Sequence, residues 1–125
     1  MSTEAALRAR LEFLAGVVQR EAQYLRSTDS RLFGPGFGIA DVAKLPQETE
    51  LAERVDAFME HFGRLQDTLA GGLLPGMLKF SLEPVGSVLD NLNRAERLGW
   101  VRSAADWTRL RLLRNRMVHE YVRDP

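Results

Sequence analysis

Residues 48–70 read ETELAERVDAFMEHFGRLQDTLA, and apolar side chains recur along them at intervals of four and three residues. That spacing places one apolar stripe along an α-helix and is typical of helices that pack against neighbours in a bundle. The stripe consists of Leu51, Val55, Phe58, Phe62, Leu65 and Leu69. Gly71 and Gly72 follow the stripe directly, so we expect the helix to end there.

Three more segments have helical spacing, and we expect helices at about residues 3–26, 83–98 and 103–122. Ser103 and Asp106 have the spacing of a capping box at the start of the last of these helices. The predicted core positions are Leu7, Leu11, Leu14, Val18, Ala22 and Leu25 in the first helix, Val85, Val88, Leu89, Leu92, Ala95 and Leu98 in the third, and Trp107, Leu110, Leu113, Met117 and Tyr121 in the fourth.

The predicted fold class is all-α, since no segment alternates apolar and polar residues over the length of a strand. A chain of 125 residues has the size of one domain, so we expect a single helical domain over residues 1–125. Its predicted architecture is an antiparallel four-helix bundle with a long loop after the first helix.

The composition excludes several classes of protein. Hydrophobic residues make up 45% of the chain and charged residues 27%, which is the balance of an ordinary globular domain. The chain has no cysteine, which excludes disulfides, thiol catalysis and cysteine-bound zinc and favours a cytoplasmic location. The longest uncharged run, residues 68–78, is too short to span a membrane, and the N-terminus lacks the pattern of a signal peptide.

Two features that resemble ligand sites are better explained as structure. Residues 34–38 read GPGFG, but glycine loops that bind phosphate follow a strand, and a predicted helix precedes this one. We therefore expect Phe33, Phe37 and Ile39 to hold the loop against the core. His61 has no second metal ligand at a suitable spacing, so we expect a histidine at the boundary of the core.

Charge is distributed unevenly along the chain. The 17 basic and 17 acidic residues cancel, yet residues 94–123 contain eight arginines and three acidic residues, a net charge of +5. A basic segment of this kind can contact the phosphates of a nucleic acid. It can equally be a solvated helix face that balances acidic neighbours, and charge alone leaves both interpretations open.

The strongest candidates for catalytic residues lie at 114–121, which read RNRMVHEY. Asn115 and His119 are four residues apart, so on a helix they share a face and can form a hydrogen bond. Arg114 and His119 are five residues apart, about 140° around the helix axis. One helix therefore does not aim both side chains at the same atom, whereas two copies related by a twofold axis could bring them together.

The motif Arg114-Asn115-x-x-x-His119, followed by Tyr121, resembles that of HEPN domains. The whole chain is similar to the HepT-like ribonuclease toxins that are paired with a minimal nucleotidyltransferase antitoxin. Residues 89–100, LDNLNRAERLGW, look like the same family. Members of the family usually have another helix after the motif, whereas this sequence ends four residues after Tyr121, which leaves open whether a fifth helix is missing.

The resemblance implies a metal-independent endoribonuclease that needs no cofactor and works as a homodimer with C2 symmetry. Arg114 and His119 are then the catalytic residues, and Asn115 and Arg116 support them. Histidine exchanges protons near neutral pH, which suits attack by the 2′-hydroxyl of RNA or protonation of the leaving oxygen. Arginine is permanently charged and stabilises the phosphorane that forms.

The resemblance also implies a partner and a means of control. In this family the tyrosine of the motif, here Tyr121, accepts AMP from ATP through the nucleotidyltransferase antitoxin, as in a type VII-like toxin–antitoxin pair. The added phosphate repels RNA from the site. Two alternatives stay open: the same fold can serve as a non-catalytic accessory subunit of the nucleotidyltransferase, or the motif can be accidental in a helical interaction protein.

Overall fold

The computed structural model describes residues 3–117 and residue 119, and every regular element in that part of the chain is helical. The predicted all-α class is confirmed. The helices are α1 (Thr3–Phe33), α2 (Ile39–Val42), α3 (Thr49–Thr68), α4 (Leu74–Phe80), α5 (Val88–Arg97) and α6 (Ala104–Met117), with a 3-10 turn at Leu45–Gln47 and a π-helical turn at Leu69–Leu73. None of the described helices has the length and apolar character needed to cross a membrane.

Helix α1 is longer than the sequence pattern predicts, because it continues past residue 26 to Phe33. The predicted stripe is confirmed, since all six of its side chains are buried or half-buried. Thr28 and Leu32 extend the buried face by two turns. The Thr28 hydroxyl donates to the backbone oxygens of Tyr24 (3.2 Å) and Leu25 (3.0 Å), so it is satisfied within its own helix and does not interrupt it.

The segment between α1 and α3 is only partly the loop that was predicted, since it contains α2 and the 3-10 turn. The Phe33 ring meets the rings of Phe58 (5.3 Å between centroids) and Phe37 (6.1 Å), as expected for aromatic anchors. The same prediction is wrong for Ile39, whose side chain is exposed. Asp41 accepts a hydrogen bond from the Gly38 N–H (2.8 Å) and pairs with a lysine, and both contacts hold the pKa of Asp41 below its usual value.

The predicted helix end at Gly71 and Gly72 is wrong. The chain continues from α3 through the π-helical turn into α4, which ends at Phe80. Pro75 lies in the first turn of α4.

The buried face of α3 differs from the predicted stripe. All six predicted side chains are half-buried, while Met59, Gly63 and Gln66 on α3 are fully buried. Helix α3 packs against both α1 and α6, so its buried positions are not confined to the apolar stripe. A glycine and a glutamine therefore hold central positions that hydrophobicity does not reveal.

The best-packed region joins α4, α5 and α6. Its buried side chains are Leu74, Leu78, Leu92, Ala95 and Ala104, with Val88, Val101 and Trp107 packed around them. Leu78 and Leu92 have almost no exposed surface. This region fixes the start of α6, and with it the position of the motif that follows.

Helix α5 begins at Val88, whereas the sequence predicted a start at about residue 83. The helix starts later because its N-cap is Ser87. The Ser87 hydroxyl accepts from the Asp90 N–H (3.1 Å), and the Asp90 carboxylate accepts from the Ser87 N–H (3.3 Å). The side chain of buried Asn91 accepts a hydrogen bond from the Gly86 N–H at 2.8 Å and donates one to the Gly86 backbone oxygen at 3.3 Å.

The predicted core positions Val85, Leu89 and Leu98 are wrong, since all three side chains are exposed on the described chain.

Truncation of Leu78 tests the position of the core. Leu78→Ala removes a fully buried side chain, and we expect it to lower the free energy of unfolding by about 3 kcal/mol. Leu89→Ala is the matched control, because Leu89 was a predicted core position and is 53% exposed; its loss should stay below about 1 kcal/mol. Urea denaturation measures both, and equal losses would contradict the described core.

Candidate functional site

The motif helix α6 is held at its N-terminus by two hydrogen bonds. The Asp106 N–H donates to the Ser103 hydroxyl at 3.0 Å, which confirms Ser103 as the predicted cap. The Ala104 N–H donates to the carboxylate of Glu96 in α5 at 2.7 Å. These bonds fix both the start and the rotation of α6, and so determine which motif side chains face the rest of the fold.

The side of α6 that faces the bundle is not the predicted apolar stripe. Trp107 packs against the core as expected. Leu110 and Leu113 were also predicted core positions, yet 47% and 52% of their surfaces are exposed, and Leu112 is more exposed still. The prediction is wrong at Leu110 and Leu113, because periodicity identifies an apolar stripe without showing whether the same chain covers it.

Arg114 takes the place next to α3. Its side chain is only 27% exposed, and its Nη2 lies 3.7 Å from Oδ2 of Asp67. Nη1 donates to the Asn115 side-chain oxygen at 3.0 Å. The Nε–H is buried and has no hydrogen-bond partner among the described residues. An unpaired buried donor costs about 1–3 kcal/mol, so the position of Arg114 calls for an explanation beyond stability.

The other motif residues lie on the open surface. Asn115, Arg116 and His119 are exposed. Within the described chain Asn115 directs its side-chain oxygen to Arg114 rather than to His119. Tyr121, the predicted site of AMPylation, lies outside the described residues. The structure therefore brings Arg114 and Asn115 together and leaves His119 free to face solvent or another molecule.

One ion pair on α6 joins two residues of the helix itself. Arg109 pairs with Asp106 at 3.2 Å, but both side chains are mostly exposed, so the pair contributes little to stability.

Among the described residues no three potential ligands are grouped as a metal ion requires. His61 is half-buried with its ring 5.7 Å from that of Tyr24, which matches the predicted boundary position.

Neither of two prominent cavities contains a motif residue. A cavity of about 600 Å³ lies between the end of α1, the connecting loop and the start of α3, and charged residues such as Asp41, Lys44 and Arg54 line part of it. A cavity of about 130 Å³ beside the π-helical turn is apolar and is bordered by Trp100 and Trp107. Neither of these cavities therefore marks the motif as a closed site.

Sequence reasoning missed two residues that contact the motif, Gly63 and Asp67. They are four residues apart on α3 and share its face toward α6, where Gly63 meets the Arg114 guanidinium. The sequence signal for this contact was a glycine in the middle of a strong helical pattern, which is unfavourable unless packing requires it.

No family model, curated protein sequence or solved structure matches this chain.

Proposed function

We propose that this chain is a metal-independent endoribonuclease of the HEPN, HepT-like kind, with Arg114 and His119 as catalytic residues. The observation that carries the proposal is the contrast between the two side chains. Arg114 is held against α3, while His119 five positions later is exposed. A fixed cation and an exposed proton-transfer group, carried on one basic segment, together have the chemistry needed to cleave a phosphodiester.

The proposed reaction uses the 2′-hydroxyl of RNA as its nucleophile. The 2′-oxygen attacks the adjacent phosphorus and loses its proton, the bond from phosphorus to the 5′-oxygen breaks, and that oxygen gains a proton. His119 exchanges one of these protons, since an imidazole side chain can both accept and donate a proton. Arg114 stabilises the additional negative charge of the phosphorane, with support from Asn115 and Arg116. DNA lacks the 2′-hydroxyl and is not a substrate.

The site is completed by a second copy of the chain in a C2 homodimer. Leu110, Leu112 and Leu113 leave large apolar surfaces exposed on α6 next to the motif. Covering each half-exposed leucine contributes about 1 kcal/mol. In a twofold interface the same patch meets itself, which brings Arg114 of one copy toward His119 of the other.

The proposal extends to a partner that controls the enzyme. A minimal nucleotidyltransferase antitoxin transfers AMP from ATP to the Tyr121 hydroxyl. Each AMP adds about one negative charge to a residue that follows Arg114 and Arg116 closely in the sequence. At about 5 Å and an effective dielectric of about 20, that charge repels an incoming phosphate by roughly 3 kcal/mol before screening by salt.

One observation favours a second candidate, a non-catalytic accessory subunit of the nucleotidyltransferase. Asp67 and Asn115 already engage two nitrogens of the Arg114 guanidinium. A guanidinium with two of its nitrogens engaged by its own chain can have a purely structural role. The two candidates differ in whether the purified protein cleaves RNA.

The first test of the proposal measures RNA cleavage by purified protein in EDTA. His119→Ala and Arg114→Ala should each lower the rate about 10²–10⁴-fold, because each removes a group that acts in the transition state. His61→Ala and Arg64→Ala are matched controls away from the motif and should keep the wild-type rate. Wild-type protein that leaves RNA intact with and without EDTA would favour the accessory subunit.

The second test concerns the dimer. The double variant Leu110→Lys, Leu113→Lys should sediment as a monomer at micromolar concentration with unchanged helix content, because charges replace the apolar contact. Leu89→Lys, at an exposed leucine of α5, should sediment like the wild-type dimer. A monomeric wild-type protein would contradict the twofold site.

The third test concerns Tyr121. Tyr121→Phe keeps the ring and removes the acceptor oxygen, so the protein should remain toxic when co-expressed with its nucleotidyltransferase. Mass spectrometry should show adenylate on the wild type and none on the variant. Adenylate that persists in Tyr121→Phe would identify a different acceptor.

A further inference from the structure

Gly63 lies on α3 where the Arg114 side chain of α6 packs against it. It is buried in the middle of α3. A Cβ atom on Gly63 would lie 2.5 Å from both Nε and Nη2 of Arg114 and 2.7 Å from Cζ. Non-bonded carbon and nitrogen atoms do not approach this closely, so the guanidinium fills the space that any other residue would need for its side chain.

Three contacts determine the direction of the guanidinium. Its Nε–Nη2 edge lies against Gly63, since both nitrogens are equally close to the position of a Cβ. Asp67, one turn further along α3, attracts Nη2 from 3.7 Å. Asn115 accepts from Nη1 at 3.0 Å. Each of the three nitrogens is therefore placed by a different neighbour.

We infer that Gly63 and Asp67 form an arginine seat on α3 that positions Arg114 for its role at the motif. Both are positioning residues, which act through Arg114 and do not touch RNA. The expected effect on RNA cleavage rests on the proposed function, whereas the positioning of Arg114 does not. An arginine side chain has several rotatable bonds, and a guanidinium oriented before the substrate arrives loses less entropy on binding phosphate.

The arginine seat accounts for two features that stability does not. Glycine is much less favourable than alanine in the middle of a helix. A buried Nε–H without an acceptor is also unfavourable. Both features are explained if the contact between α3 and α6 holds the edge of one guanidinium against the helix backbone at Gly63.

The first measurement is independent of RNA. In ¹⁵N-labelled protein the Nε–H signal of Arg114, assigned by its loss in Arg114→Lys, should exchange slowly with solvent because it is buried. Gly63→Ala should speed this exchange at least tenfold, since the methyl group displaces the end of a flexible side chain and the fold remains. Gly16→Ala is the matched control, because a Cβ there would meet only an Arg20 nitrogen at 4.0 Å.

The second measurement is RNA cleavage. Gly63→Ala should lower kcat about 10²-fold with little change in KM, because a displaced guanidinium still binds phosphate but is misaligned in the transition state. Adding Gly63→Ala to Arg114→Ala should cause no further loss, since Gly63 acts only through that side chain. Gly16→Ala should keep the wild-type kcat.

The outcomes separate the arginine seat from the proposed function. Unchanged Nε–H exchange in folded Gly63→Ala overturns the seat. Faster exchange with unchanged cleavage supports the seat as a structural device and overturns the catalytic role of Arg114. If Gly63→Ala does not fold, Asp67→Asn gives the same test at a mostly exposed side chain: faster exchange supports the seat, and unchanged exchange overturns it.

Discussion

The contact between the Arg114 guanidinium and the backbone of α3 at Gly63 is the constraint on which the motif end of this structure depends. It sets how closely α6 approaches α3, and it turns Arg114 toward the bundle. Leu110 lies one turn before Arg114 on the same side of α6, yet it and Leu113 remain exposed. An exposed apolar surface therefore lies directly beside the half-buried cation on α6.

Much of the fold follows from hydrophobic periodicity, but only where one neighbour covers one apolar stripe. The six-residue stripe of α1 was predicted correctly, since α1 presents one continuous face. Its end was not, because Thr28 satisfies its hydroxyl within the helix and Leu32 adds another buried turn. Helix α3 has two large neighbours, so its deepest positions include Gly63 and Gln66, which no hydrophobic pattern marks.

The candidate site could be recognised in sequence only through residues near one another along the chain. Arg114, Asn115 and His119 lie within two helical turns and form a visible motif. Asp67 and Gly63 are about fifty residues away in the sequence, and their contact with Arg114 arises only when α3 and α6 pack. The prediction that Leu113 lies in the core was wrong for the same reason. Whether another helix covers an apolar side chain depends on tertiary packing, which periodicity does not show.

The π-helical turn at Leu69–Leu73 constrains how this chain can change in length during evolution. Buried residues recur every four positions at Gln66, Ala70, Leu74 and Leu78. In a regular α-helix, residues four positions apart are rotated by about 40° relative to each other around the helix axis. A π-helical turn contains one more residue per turn, which brings the buried side chains back to the same face. Loss of one residue there would rotate the core face of α4 relative to the face that meets Arg114. Insertions and deletions should therefore be rare in this turn even where substitutions are tolerated.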